Sequence, residues 1–315
     1  RTIGNGSAIN ASGSNLNLFI ANVHFDSNFI ASTDTMGNFG GAVFVDGGPF
    51  ATVTIEKSVF TNNYVNNSGG YPGHGGAIKF NNLNTYNIYD SKFIGNYAMS
   101  GASAKGGAII TNDSKGTIES SLFKDGNAGS GGAAIYFQYG AGFDTTYIRN
   151  STFYNNLGGV SQIHFESTTA NKLELEHATI ANSSVTHAIY GAGSVSAEIR
   201  MRASIIDNGD PALYNCYSAS GPALISLGEN ISGPEASPSN ECNLTGAGDA
   251  YNVNPQFGNA GNLITVANTE VLPLLAISPA KAKYPGPCMP GNDQTGASRP
   301  KDASGSCDAG AFQNP

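Results

Sequence analysis

Two columns of apolar residues recur down the chain, and their spacing limits the folds open to it. The first runs Ile9, Val43, Ile78, Ile109, Ile135, Ile163, Ile189, Leu213, and each is preceded by alanine except Ile163, which follows Gln162. The second runs Ile20, Ile55, Ile88, Ile118, Ile148, Leu175, Met201. Five residues after each of these stands Phe25, Phe60, Phe93, Phe123, Phe153, Ile180 or Ile206. Rows of the second column lie 35, 33, 30, 30, 27 and 26 residues apart. A repeat of this length, built from short segments broken by Gly and Asn, marks a solenoid.

Each row holds short alternating segments such as Thr52-Val53-Thr54-Ile55-Glu56 and Ala197-Glu198-Ile199-Arg200-Met201-Arg202. Period-two alternation sends one set of side chains inward and the other outward. Leu18, Val53, Tyr86, Leu173 and Ile199 form a further inward set. β-Branched and aromatic residues favour strands here, and the segments are too short for helices. The expected fold is all-β: a single-stranded parallel β-helix of about eight rungs, right-handed by expectation. At about 4.8 Å per rung it forms a rod of roughly 40 Å. Gly40-Gly41-Ala42-Val43, Gly75-Gly76-Ala77-Ile78 and Gly106-Gly107-Ala108-Ile109 supply sharp corners, which glycine accepts at low steric cost. Gly132-Ala133-Ala134-Ile135 is a decayed fourth copy. Phe25-Asp26-Ser27-Asn28, Phe60-Thr61-Asn62-Asn63, Phe93-Ile94-Gly95-Asn96 and Phe153-Tyr154-Asn155-Asn156 are the companion motif, its asparagines suited to laddering between rungs. Phe123-Lys124-Asp125-Gly126 departs from it, with Asn127 one place late.

These alternating GGAI and FxxN tetrapeptides resemble the polymorphic outer-membrane-protein repeats of bacterial surface β-helices. A second resemblance covers residues 205–313. Asn254-Pro255-Gln256-Phe257, Leu274-Leu275-Ala276-Ile277-Ser278-Pro279-Ala280, Asp293-Gln294-Thr295-Gly296-Ala297-Ser298-Arg299-Pro300 and Cys307-Asp308-Ala309-Gly310-Ala311-Phe312-Gln313 keep the order of the closing region of secreted choice-of-anchor-type β-helix proteins. Asn254, Lys281-Ala282-Lys283, Gln294-Thr295 and Gln313 depart from that pattern. The resemblance implies repeats over 1–215, and a loop-rich continuation and cap over 216–315, in one structural unit.

Cys216, Cys242, Cys288 and Cys307 lack the CxxC spacing of zinc sites. Pairing Cys216 with Cys242 and Cys288 with Cys307 would close two irregular loops, each bridge stabilising by about 2–4 kcal/mol, and would imply an oxidising compartment. Four buried thiols are the alternative. Net charge is −8 with no basic run, which argues against nucleic-acid binding. No apolar stretch is long enough to span a bilayer. Arg1 lies seven residues before the first Ala-Ile step with no signal peptide ahead, so a processed, secreted or cell-surface form is expected. Candidate N-glycosylation sequons stand at Asn5, Asn10, Asn66, Asn112, Asn150, Asn182, Asn230 and Asn243.

The best outward cluster is Glu174 and Glu176 beside Arg200 and Arg202 of the next row, with Arg149 and Glu119 in earlier rows. As a catalytic carboxylate pair with basic subsites it would suit an acidic polysaccharide. As a ladder, Glu119–Arg149–Glu176–Arg202 and Glu174–Arg200, it would hold rungs in register. The alternating sign of the charges favours the ladder. Gly73-His74-Gly75 matches a polygalacturonase tripeptide, but that family's Asp pair and Arg-Ile-Lys motif are missing. His164 with Glu166 lacks a third metal ligand. Asp293 and Asp308 are expected to bond turn amides. No metal, cofactor or catalytic residue is assigned. The leading expectation is a non-catalytic extracellular structural or adhesive protein. Its partners are further copies of itself, joined head to tail through an uncapped first rung, or surface glycans. A pectin-lyase-like polysaccharide lyase or glycoside hydrolase is the alternative, with Tyr136, Tyr139, Tyr147, Tyr154 and Tyr190 as candidate sugar platforms.

Overall fold

The computed structural model describes residues 5–32, 37–67, 71–99, 103–140, 142, 144–218, 220–236, 240–285, 288, 291–299 and 306–313. Arg1 and Pro300, named above, lie outside them. The protein is an all-β parallel solenoid. Three eight-stranded sheets run its length, each taking one strand from every row. The first sheet runs from Ile9–Ser12 through Val43–Asp46, Ile78–Asn81, Ile109–Asn112, Ile135–Tyr139, Ser161–Ser167 and His187–Gly193 to Tyr214–Tyr217. The second runs from Asn17–Ala21 to Ala223–Ser226 and includes Thr145–Arg149, Lys172–Glu176 and Glu198–Arg202. The third runs from His24–Asp26 to Ile231–Ser232. A shorter fourth sheet joins Phe29–Ser32, Tyr64–Asn67, Tyr97–Met99 and Asn127–Ala128.

The register places like on like. Ile20, Ile55, Ile88, Ile118, Ile148, Leu175 and Met201 are consecutive partners, as are Phe25 through Phe153, Ile180 and Ile206. Five phenylalanine rings therefore stack at 4.7–4.8 Å, adding to their burial about 0.5–1.5 kcal/mol per pair. The first column needs one correction. Ile189 is partnered by Cys216, not Leu213. Leu213 sits in a turn, its N–H bonded to the Asp210 carbonyl at 3.0 Å. The disulfide to Cys242 lets Cys216 fill a fully buried apolar position.

Two polar ladders run through the corners. Asn63 donates its Nδ2 to Asn96 Oδ1 (2.9 Å) and to Phe25 O (2.9 Å), and its own Oδ1 accepts from Asn28 N and Nδ2. Gly126 breaks this series, so its N–H alone reaches Asn156 Oδ1 at 2.9 Å, while Asn127 begins a strand. The second ladder was not evident in the sequence. Ser58, Ser91 and Ser121 each bond their backbone N–H to the hydroxyl of the serine one row on, ending at Ser151. Each hydroxyl returns its proton to the carbonyl two residues back. The residue before each serine has positive φ (Lys57 46°, Asp90 49°, Ser120 51°, Asn150 44°), so the chain turns sharply without stranding buried amides.

The solenoid continues past residue 215, because its eighth row spans Tyr214 to Ser232. The expected cap divides in two. Cys242 and Leu244 join the main core. The rest folds back as an arm along the outer face of the third sheet. Gly310 N bonds Ala203 O (2.7 Å), Ala311 N bonds Thr179 Oγ1 (2.9 Å), Asn150 Nδ2 bonds Asn292 O (2.6 Å) and Lys124 pairs with Glu270 (3.1 Å). Ile205, Ile231, Leu274, Ala280 and Ala309 make a second small core beneath it. Arg299, buried, donates to the carbonyls of Asp308, Gly310 and Ala311. Asp293 accepts from the amides of Thr295 and Ala297, and Asp308 from that of Ala282, as expected for both. A second disulfide joins Cys288 to Cys307 within the arm.

Asn63→Ala is expected to lower unfolding stability by about 2–3 kcal/mol in a denaturant titration. It strands the buried Phe25 carbonyl and leaves the half-buried Asn28 amides without their acceptor.

Candidate functional site

The charged cluster forms on the outer face of the second sheet, where strands Lys172–Glu176 and Glu198–Arg202 alternate buried and half-buried residues. Parallel register sets Lys172 beside Glu198, Glu174 beside Arg200 and Glu176 beside Arg202. Every facing pair is of opposite charge. Arg200 lies 3.3 Å from Glu174 and 2.7 Å from Glu198. Glu176 lies 3.4 Å from Arg149 and 3.8 Å from Arg202, and Lys172 lies 3.5 Å from Glu198. The four named candidates thus come together, within a wider grid. Lys172 and Glu198, absent from the sequence-based cluster, are signalled by the same offset from the apolar columns. Glu119 is the register partner of Arg149. Burial pushes the carboxyls of both Glu119 and Glu176 up, against the opposing pull of the arginines. Glu174 and Glu176, two residues apart on one strand, sit at a spacing of roughly 7 Å.

A second strip follows the outer face of the first sheet. Tyr136, His164, Tyr190 and Tyr217 stack in successive rows, with centroids 4.2, 4.8 and 5.1 Å apart. His164 is therefore buried between two tyrosines rather than presented as a ligand. Glu166 accepts from the Tyr136 hydroxyl and pairs with Lys105 at 3.3 Å. Lys105 also sits over the Tyr136 ring. Earlier in the strip, Lys79 lies 3.4 Å from the centroid of Phe39, and burial lowers it to about 8. His74 stacks on Phe39 and accepts from the Lys105 amide. No group of three or more His, Cys, Asp or Glu able to hold a metal ion occurs among the described residues.

Ring stacking limits the platforms the sequence suggests. In an in-register ladder each ring covers its neighbours' faces and shows solvent its edge. Tyr139 is fully buried, its hydroxyl paired with Thr146 at 2.5 Å. Tyr154 is tied to the arm through Gly261 O at 3.0 Å. Tyr147 lies against the Arg149 guanidinium.

The sequons separate by access. Asn10, Asn66 and Asn243 are exposed, and Asn5 and Asn112 are partly so. Asn182 is half-buried, its Nδ2 held by Gly261 O at 2.8 Å. Two of the candidates, Asn150 and Asn230, are fully buried in the folded chain. Their amides bond Asn292 O and Met201 O. Each occupies a corner column, and for Asn150 the arm closes the outside.

Arg200→Gln is expected to cost about 1 kcal/mol, because it removes two partners and leaves Glu174 and Glu198 facing a neutral amide. The loss shrinks when salt is raised to 1 M. Stability is also expected to fall as pH drops from 7 to 5. Burial lowers His74 to about 3 and His164 to about 4, and holds His177 well below its ordinary value, so all three stay neutral in the fold. The unfolded chain binds their protons near pH 6.5. This contribution is therefore complete above pH 6.5 and lost below it, at up to about 1.4 kcal/mol per pH unit for each histidine. Carboxyls raised by burial, such as Asp207 and Glu119, act in the opposite sense. Denaturant titrations between pH 5 and 7 read the net slope, and His164→Phe should flatten it.

No protein-family model matches the chain, and no curated protein or solved structure matches it significantly. No helix among the described residues is long and apolar enough to cross a membrane. The architecture itself is an all-β parallel β-solenoid with two disulfides.

Proposed function

We propose that this is a non-catalytic extracellular protein with a structural or adhesive role, able to add copies of itself along the rod axis. The observation that carries the reading is the ion-pair grid. The outward cluster best suited to catalysis has its carboxylates and cations bonded to one another across rows, as a register device would be. Three further features support it. The GGAI and FxxN repeats resemble those of bacterial surface β-helices. The disulfides Cys216–Cys242 and Cys288–Cys307 suit an oxidising, secreted location. Parallel rows can propagate by strand addition between copies.

The enzyme reading draws on one observation, the raised Glu176 carboxyl roughly two strand residues from Glu174. A polysaccharide lyase or hydrolase would use such a pair. Electron microscopy of the purified native protein at high concentration is expected to show filaments with a subunit repeat of roughly 40 Å. Dispersed single rods would overturn self-assembly. Glu174→Ala and Glu176→Ala are expected to lower the melting temperature. Polysaccharide cleavage that these variants abolish at unchanged melting temperature would establish the enzyme instead.

A further inference from the structure

The folded-back arm is knit by bonds of its own. Tyr284 and Cys307 exchange backbone hydrogen bonds at 2.9 Å, Ala309 N donates to Ala280 O at 2.8 Å, and the Cys288–Cys307 disulfide closes a loop within it. Arg299 gathers three carbonyls of the final segment. The arm can therefore leave the rod as a body without losing its internal bonds. One titratable side chain of the rod lies inside the seam between the two. His177 stands at the corner after strand Lys172–Glu176 and is fully buried. From the arm, the Tyr284 ring meets it at right angles, with centroids 5.8 Å apart.

Neither ring nitrogen of His177 has a hydrogen-bond partner. Every form of an imidazole carries at least one N–H donor, so docking the arm buries a donor that water would otherwise satisfy. A proton deepens the mismatch, because it adds a second donor and a charge. The charged groups weighing on the ring are Arg299 of the arm and Arg202 of the next row, both cations. The carbonyls of Asp308 and Gly310 favour a proton there, but Arg299 already donates to both. The nearby carboxylates serve other partners. Asp293 and Asp308 act on Arg299 and accept from turn amides, and Glu176 pairs with Arg149 and Arg202. A buried charge without a bonded partner is costly.

We propose that His177 is an acid-operated latch: the arm lies on the rod while the imidazole is neutral and comes away when the imidazole takes up a proton. Release uncovers the outer face of the third sheet at Thr179, which holds Ala311 N, and at Ala203, which holds Gly310 N. With the arm docked, burial and the two arginines hold His177 well below its ordinary value. With the arm released, the ring faces water and binds its proton near about pH 6.5. Docking is therefore at full strength above that pH and weakens below it, by up to about tenfold per pH unit. His74 and His164 belong to the strip on the first sheet and act on the rod instead. The latch goes beyond the structural or adhesive reading and does not depend on it.

The test is hydrogen exchange on the full chain, disulfides intact, between pH 7 and 5, corrected for the intrinsic pH dependence of exchange. The amides of Gly310 and Ala311 report docking, and those of strand Ile109–Asn112 report the rod. Opening of the arm should rise by up to about tenfold per pH unit below pH 6.5, at pH values where the rod strand still exchanges far more slowly. His177→Gln and His177→Phe, neither of which titrates, should each flatten the slope, and the part removed belongs to His177. An arm that opens only together with the rod strand, or whose opening does not change with pH, would overturn the latch. So would an unchanged slope in whichever variant folds.

Discussion

Everything in this molecule depends on rows pairing in parallel with no change of register. Once a strand lies about 4.8 Å from its counterpart, every side chain meets the same column one row on. An isoleucine column then becomes a core, a phenylalanine column becomes a ring stack, and an asparagine column becomes a chain of amide hydrogen bonds. The same constraint acts on charge. A column of like charges would repel at every step, so the second sheet alternates Arg149, Glu176 and Arg202. Packing, polar satisfaction and electrostatics are three expressions of one translation.

That translation made the body of the fold legible in the sequence. The second column and its phenylalanine companion were read residue by residue, and the charged partners followed from the same offsets. Where the pattern failed, local chemistry had replaced it. Leu213 follows an alanine as its predecessors do, yet Pro211 and Asp210 put it in a turn, and a disulfide-bonded cysteine takes the apolar place. The serine ladder is hidden in the sequence because serine is common in this chain and its partner lies a full row away. The arm carried recognisable motifs, but nothing in them tells whether the segment covers the end or the flank. That depends on Gln294 meeting Thr152, Asn292 meeting Asn150 and Ala311 meeting Thr179, each pair more than a hundred residues apart.

The site was harder to read than the fold. Sequence offsets could say which side chains face outward, but not which outward faces are covered. His164 points outward and is nevertheless buried between tyrosines. Asn150 carries a sequon and lies beneath the arm.

The folded-back arm has a mechanical consequence. In a bare solenoid each row touches only its neighbours, so the ends fray and stability is a sum of local terms. Here one segment is bonded to Ala203, Thr179, Asn150 and Lys124 in turn. It couples rows that never touch. Peeling away the last row would require detaching a splint that also grips the middle of the rod, so the C-terminal half gains a single cooperative unfolding step in place of a zipper.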